Sequence, residues 1–192
     1  MKEKIIKLSP YVLVFIIVVY LAVRYDKLNS GSNALSESVS TERTLLHKLF
    51  TFEKPEEMSF ESSANQKFEG EHSAIIKKEA LYGPTFKYDS LDILKKIKRV
   101  EVSFRVFSSM PVKYSTIVVA FSNEQGANVI YHNAGMADNF RVNEWSKVFA
   151  KFDIDNSLMA NEDKLTFAVY TMNDKGEEIY IDNFEVNCFG DN

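Results

Sequence analysis

The sequence predicts an all-β domain, two antiparallel sheets packed face to face as a sandwich or jelly roll, behind a single N-terminal transmembrane helix. Three observations carry this expectation. Residues 8 to 23, LSPYVLVFIIVVYLAV, run without a charge, and from about residue 44 onward apolar side chains recur at every second position. Almost no stretch of the remainder has the 3.6-residue spacing of a helix. Val100, Val102, Phe104 and Val106 alternate with Glu101, Ser103 and Arg105, and Leu165, Phe167 and Val169 alternate with Lys164, Thr166 and Ala168. Strands of this kind, each with one apolar face and little helix to cover it, bury that face by packing sheet on sheet.

The uncharged run is 16 residues long. At about 1.5 Å per residue it covers roughly 24 Å, short of the roughly 30 Å hydrocarbon core. Ile5, Ile6 and a snorkelling Lys7 close most of that gap. A cleavable signal peptide has the same basic start and a similar apolar core. Here the run ends in Leu21-Ala22-Val23-Arg24-Tyr25-Asp26, without a small-x-small cleavage pattern and without a following cysteine to accept a lipid, which favours an uncleaved anchor over residues 1–24. Lys2, Lys4 and Lys7 on one side face Arg24 and Lys27 on the other, so the basic bias is slight. The common arrangement, a short basic tail in the cytoplasm, puts the domain in the periplasm or at the cell surface of a single-pass membrane protein. Residues 25–43, rich in Ser, Asn and small side chains, read as a flexible linker.

Residues 44–192 form the predicted domain, large enough to bury a core without cross-links. Strands are expected at 46–53, 72–78, 100–106, 116–122, 127–132, 145–154, 164–169 and 178–187, with one short helix-like piece at 91–97. Turn-rich pieces such as Ser122-Asn123-Glu124-Gln125-Gly126 separate them. The domain carries 17 Lys and Arg against 23 Asp and Glu, a net charge of −6, which argues against nucleic acid as a partner. The single cysteine, Cys188, can form no internal disulfide. His47, His72 and His132 are scattered without metal-ligand spacing. Without a Gly-x-Ser-x-Gly elbow, a phosphate-binding Gly loop or a histidine beside Cys188, a binding module is the expectation over an enzyme.

Near the C-terminal end, Ile179 and Ile181 are followed by Phe184 and Val186, a change of phase by one residue within a strand. Either a bulge falls on Asp182-Asn183, or both faces of the strand are partly buried. The ending Tyr180-Ile181-Asp182-Asn183-Phe184-Glu185-Val186 resembles the last strand of bacterial carbohydrate-binding-module jelly rolls of the galactose-binding-domain-like superfamily, as do Trp145 and the strand, polar loop and strand leading to it. Phe52-Glu53 and Gly70-x-x-Ser73, ahead of Ala74-Ile75-Ile76, resemble its first third. The resemblance spans most of residues 48 to 188.

That resemblance implies a glycan or cell-envelope component as ligand and a structural calcium tying the first strand, a following loop and the last strand together. Carried over by position, the metal ligands would be Glu53, the carbonyl of Glu71 and Asp182, with Glu69 as a substitute for one of them. Calcium takes six to eight oxygens, so carbonyls and water would complete the shell. Without metal, Glu53 and Asp182 would cap backbone or pair with lysine. The family's Trp at the place of Trp145 is usually structural, which predicts core or rim packing. Expected binding aromatics lie in loops: Tyr82, Phe86, Tyr88, Tyr114, Tyr131 and Phe140, beside Lys87, His132, Asn133, Asp138, Asn139 and Arg141. A docking surface for an envelope protein is the alternative, recognisable by an exposed apolar patch in place of a polar-lined one.

Overall fold

The computed structural model describes residues 42–191 apart from 55–59, 138–139 and 175. The expected membrane helix and the linker through residue 41 lie outside the described residues. Among those described, no helix is long and apolar enough to cross a membrane.

Among the described residues, ten strands, one short α-helix and one 3-10 turn follow in order: β1 (Arg43–Phe50), β2 (Glu61–Ser63), β3 (Ser73–Ile76), β4 (Tyr82–Tyr88), α1 (Leu91–Leu94), β5 (Ile97–Phe107), β6 (Ser115–Asn123), β7 (Asn128–Gly135), β8 (Ser146–Asp153), the 3-10 turn (Asn156–Met159), β9 (Leu165–Asn173) and β10 (Ile179–Gly190). They make two antiparallel sheets. The six-stranded sheet runs β2-β3-β10-β5-β8, with β1 also paired to β10, and the four-stranded sheet runs β4-β9-β6-β7. The expectation of an all-β antiparallel sandwich is met.

The alternation read from the sequence decides which side chains enter the space between the sheets. Val100, Val102, Phe104 and Val106 of β5 and Phe184, Val186 and Cys188 of β10 face Ile117, Val119 and Phe121 of β6 and Leu165, Phe167 and Val169 of β9. The Phe104 and Phe184 rings stack at 5.3 Å across neighbouring strands, and Phe121 meets Phe167 at 4.9 Å. Each such side chain contributes about 1.5–3 kcal/mol on burial, which is how the domain holds together with its one thiol buried and unpaired.

The predicted bulge is present. Asp182 pairs with Arg105 and Glu185 with Ser103, so β10 advances three residues where β5 advances two. Asn183 takes a left-handed φ of 49° to make the step. The extra residue lets Ile181 and Phe184 both point inward, as the phase change requires.

Several boundaries are corrected. β1 stops at Phe50 and does not run to 53, because Phe52 adopts φ 62°. The helix is a single turn. β4 was not expected as a strand: Gly83 and Pro84 interrupt its alternation, and a register shift between Tyr82 and Thr85 absorbs them. β7 runs on through Gly135 and does not stop at 132, so Asn133 sits on a strand and not in a loop.

Candidate functional site

Side chains on the outward face of the four-stranded sheet fall into rows set by strand register. One row is Thr85, Tyr170, Val118 and Asn133, from β4, β9, β6 and β7 in turn. The next is Lys87, Ala168, Ala120 and Tyr131, and on the other side lie Tyr82, Met172, Thr116 and Gly135. Three tyrosines, one on each of three strands, therefore share this face. Tyr82 is 57% exposed and Tyr131 42%, while Tyr170 sits half-buried between them. The Tyr82 and Tyr170 rings meet edge to face at 5.7 Å.

The small residues matter as much as the large ones. Ala120 and Ala168 are direct cross-strand partners, which leaves a low floor between Lys87 and Tyr131. Val118 is fully buried yet belongs to the outward face, since its neighbours on β6 in the core are Ile117 and Val119. The surroundings of Tyr170 push its hydroxyl above the usual phenol range, through burial first and then through the neighbouring Tyr131 and Tyr82. The Tyr170 ring thus presents a neutral, amphipathic surface at ordinary pH. Asn133, Lys87 and Thr85 supply amide, ammonium and hydroxyl groups around them. The Thr116 hydroxyl, shielded from solvent, has no hydrogen-bond partner among the described residues.

Of the residues expected from sequence to bind a ligand, Tyr82, Tyr131 and Asn133 come together here. They do so on strands, which corrects their assignment to loops. Phe86 and Tyr88 belong to the opposite face of β4. Phe86 is only 7% exposed, packed against Phe50 and Phe167, and Tyr88 stacks on Phe86. His132 pairs with Val119 and turns inward, its ring stacked at 6.2 Å on Phe152. Arg141 lies elsewhere, exposed in a loop and 3.7 Å from Glu144. Asp138 lies outside the described residues. Phe140 packs against the core, and Tyr114 is exposed. Tyr170 was missed. It occupies the polar phase of β9, and only strand register brings it between Tyr82 and Tyr131. Trp145 packs on Phe68 and Phe107 at the outer face of the six-stranded sheet, the rim position expected of it.

Of the candidate metal ligands, Glu53 and Asp182 lie near each other at the bulge. Asp182 is 0% exposed; its Oδ2 accepts from the Phe68 and Glu69 N–H groups at 3.0 and 3.1 Å, and Oδ1 from Asn183 N–H at 2.7 Å. Glu53 Oε1 accepts from the Glu71 and His72 N–H groups at 2.9 and 3.1 Å. Glu69 Oε2 accepts from Asn183 Nδ2 at 3.1 Å. Two carboxylates far apart in sequence thereby staple the 66–72 loop to the sheet. The N–H donors hold the Glu53 carboxyl below its usual range. Burial dominates at Asp182 and raises its pKa against three donated hydrogen bonds, with the charge of nearby Glu53 adding to the rise. Asp182 forms no ion pair among the described residues. The side-chain donors alone are fewer than calcium needs, since no group of three or more metal-binding side chains gathers among the described residues.

No protein-family model and no curated protein matches this chain. Among solved structures it is similar to the N-terminal CBM22-1–CBM22-2 tandem domain of Paenibacillus barcinonensis Xyn10C, with TM-score 0.53 and 19% identity over 76% of this chain and 46% of that one. It is also similar to the CBM22-1–GH10 modules of Clostridium thermocellum xylanase 10B complexed with xylohexaose, with TM-score 0.50 and 9% identity over 78% of this chain and 29% of that one. The single CBM22-1 xylan-binding domain of the Paenibacillus enzyme aligns with TM-score 0.46 and 16% identity, over 77% and 92% of the two chains. The first two likenesses bear out the fold as a two-sheet antiparallel β-sandwich.

Proposed function

We propose that this chain is a non-catalytic glycan-binding module, anchored in the membrane by its N-terminal apolar run and holding its sandwich outside the cytoplasm. The observation that carries the reading is the group of three tyrosines, Tyr82, Tyr170 and Tyr131, set on three of the four strands of one sheet face, with two alanines forming a low floor beside them. A phenol ring covers the apolar face of a pyranose while its hydroxyl keeps a hydrogen-bonding partner. Asn133, Thr85 and Lys87 then supply the amide, hydroxyl and ammonium groups that sugar hydroxyls need. The solved structures of similar fold include carbohydrate-binding modules, which supports the same ligand class. Calcium held by Glu53, Asp182 and the Glu71 carbonyl belongs to this proposal as a structural clip: it would neutralise the two carboxylates and fix the 66–72 loop.

Affinity electrophoresis of the full-length protein in detergent, through gels cast with a panel of soluble polysaccharides, tests the platform. At about 0.5–1.5 kcal/mol per stacked ring, Tyr82→Ala and Tyr131→Ala each weaken retardation about two- to tenfold. Absence of retardation by every glycan, or unchanged retardation in both variants, overturns the reading and leaves a protein-docking role in its place. Retention of residues 1–24 and resistance of the membrane-bound protein to a carbonate wash test the anchor. A chelator that leaves the melting temperature unchanged removes the calcium.

A further inference from the structure

The outer face of the six-stranded sheet, remote from the tyrosines, carries a cavity of about 500 Å³. It lies where the 66–72 loop meets the sheet, with Arg105, Lys147, Ser103, Glu185 and Glu69 among its lining residues and Leu49 as an apolar side. That volume is within the range of small-molecule sites. Three carboxylates border it, and each already has donors. Glu185 accepts from His47 Nε2 at 3.1 Å, Asn187 Nδ2 at 3.2 Å and Ser103 Oγ at 3.3 Å; these donors, Asn187 foremost, hold its carboxyl below the usual range. Glu53 is supplied by the Glu71 and His72 N–H groups, and Glu69 by Asn183.

The cations are in the opposite condition. Arg105 and Lys147 are direct cross-strand partners on β5 and β8, and like charges so placed destabilise a sheet. Neither forms an ion pair among the described residues. Asp182, opposite Arg105 on the other side, is covered by the loop and occupied by three N–H groups. The Arg105 guanidinium lies 4.4 Å from the centre of the Phe68 ring. That contact places Phe68 against the guanidinium and makes no use of its N–H groups as donors to a carboxylate. The unmet demand of the cavity is for acceptors.

We propose that this cavity is a second binding site, one that takes an oxyanion carried on a hydroxylated scaffold: the carboxylate of a sugar acid or the phosphate of a phosphorylated sugar. Arg105 and Lys147 hold the anion, and Glu69 and Glu185 accept from the scaffold hydroxyls. The site is independent of the tyrosine platform, on the opposite face of the sandwich, and its test separates the two. Calorimetric titration of the full-length protein uses digalacturonate, the neutral disaccharide galactobiose and inorganic phosphate as probes. Digalacturonate or phosphate binds, and Lys147→Gln and Arg105→Gln each weaken that binding about tenfold, the loss expected for a charge-assisted contact. Tyr131→Ala leaves it unchanged. Binding of digalacturonate alone assigns the anion to a uronic acid, and of phosphate alone to a phosphate ester. Lys147 is exposed, so its variant folds even where loss of the Phe68 contact disturbs Arg105→Gln. Failure of both anions to bind, or anion binding unchanged in Lys147→Gln, overturns the proposal.

Discussion

Replacing Asp182 by alanine tests how the 66–72 loop is held to the sheet. The side chain is fully buried and accepts three backbone N–H groups, at 3.0, 3.1 and 2.7 Å. Hydrogen bonds to a charged group contribute about 1.5–3 kcal/mol each, which alone gives roughly 5–9 kcal/mol. Two effects offset this. Burial already raises the Asp182 carboxyl above its usual pKa, so removing the charge recovers part of its desolvation cost. The released Phe68 and Glu69 N–H groups belong to exposed residues and find water once the loop lifts. A net loss of about 2–4 kcal/mol remains, which in a domain of this size corresponds to roughly 5–15 °C in melting temperature. Urea unfolding of the full-length protein followed by Trp145 fluorescence measures it. Trypsin provides the second readout, since the loop carries Lys67 at its tip and cleavage there accelerates when the staple is lost. An unfolding free energy within about 0.5 kcal/mol of the parent, together with unchanged cleavage at Lys67, would refute the reasoning.

Gly70→Ala attacks the same loop from the other side. Gly70 has φ 69°, and a Cβ there would stand 2.2 Å from Glu53 Oε1; the left-handed conformation alone costs about 1–2 kcal/mol, so a lower urea midpoint is expected. Glu53→Gln gives a pH signature. The Glu53 carboxyl is held below its usual value of 4.5, so its contribution to stability is present above that pH and is lost as pH falls through the lowered folded value. The variant is therefore less stable than the parent at neutral pH, and the gap between their urea midpoints closes in acid. Asp182, with its raised carboxyl, runs the other way and loses stability as pH rises through its folded value, so the two substitutions have pH profiles of opposite slope. Burial pushes the Cys188 thiol up to about 12. Iodoacetamide at mildly alkaline pH then leaves the folded protein unmodified by mass spectrometry and adds one group per chain in denaturant.

What the sequence revealed and what it hid follow from the range of the interactions involved. The β5 and β9 alternations and the phase change at Asp182-Asn183 are properties of a single strand, and they led directly to the two sheets and the bulge. The convergence of Glu53 and Asp182 was legible only through the resemblance, because residues so distant meet by topology. Tyr82, Phe86 and Tyr88 illustrate the limit: without the register shift at Gly83-Pro84 their strand is not recognisable, and without the strand their faces cannot be sorted. Tyr170 was passed over because an aromatic on the polar phase of a strand carries no mark of its neighbours. Arg105 and Lys147 are ordinary polar positions until pairing sets them side by side.

The position of β10 has a consequence for the living chain. Of the described strands it is the last to leave the ribosome, and it pairs with β1, β3 and β5. At about 5–20 residues per second, β1 waits several seconds or more for the strand that, among the described residues, is its one partner. Until then β3 has only β2 and β5 only β8 to pair with among the described strands, and no partial domain released before Ile179 has a finished core. Folding of this sandwich therefore waits on β10 and involves large loop closures.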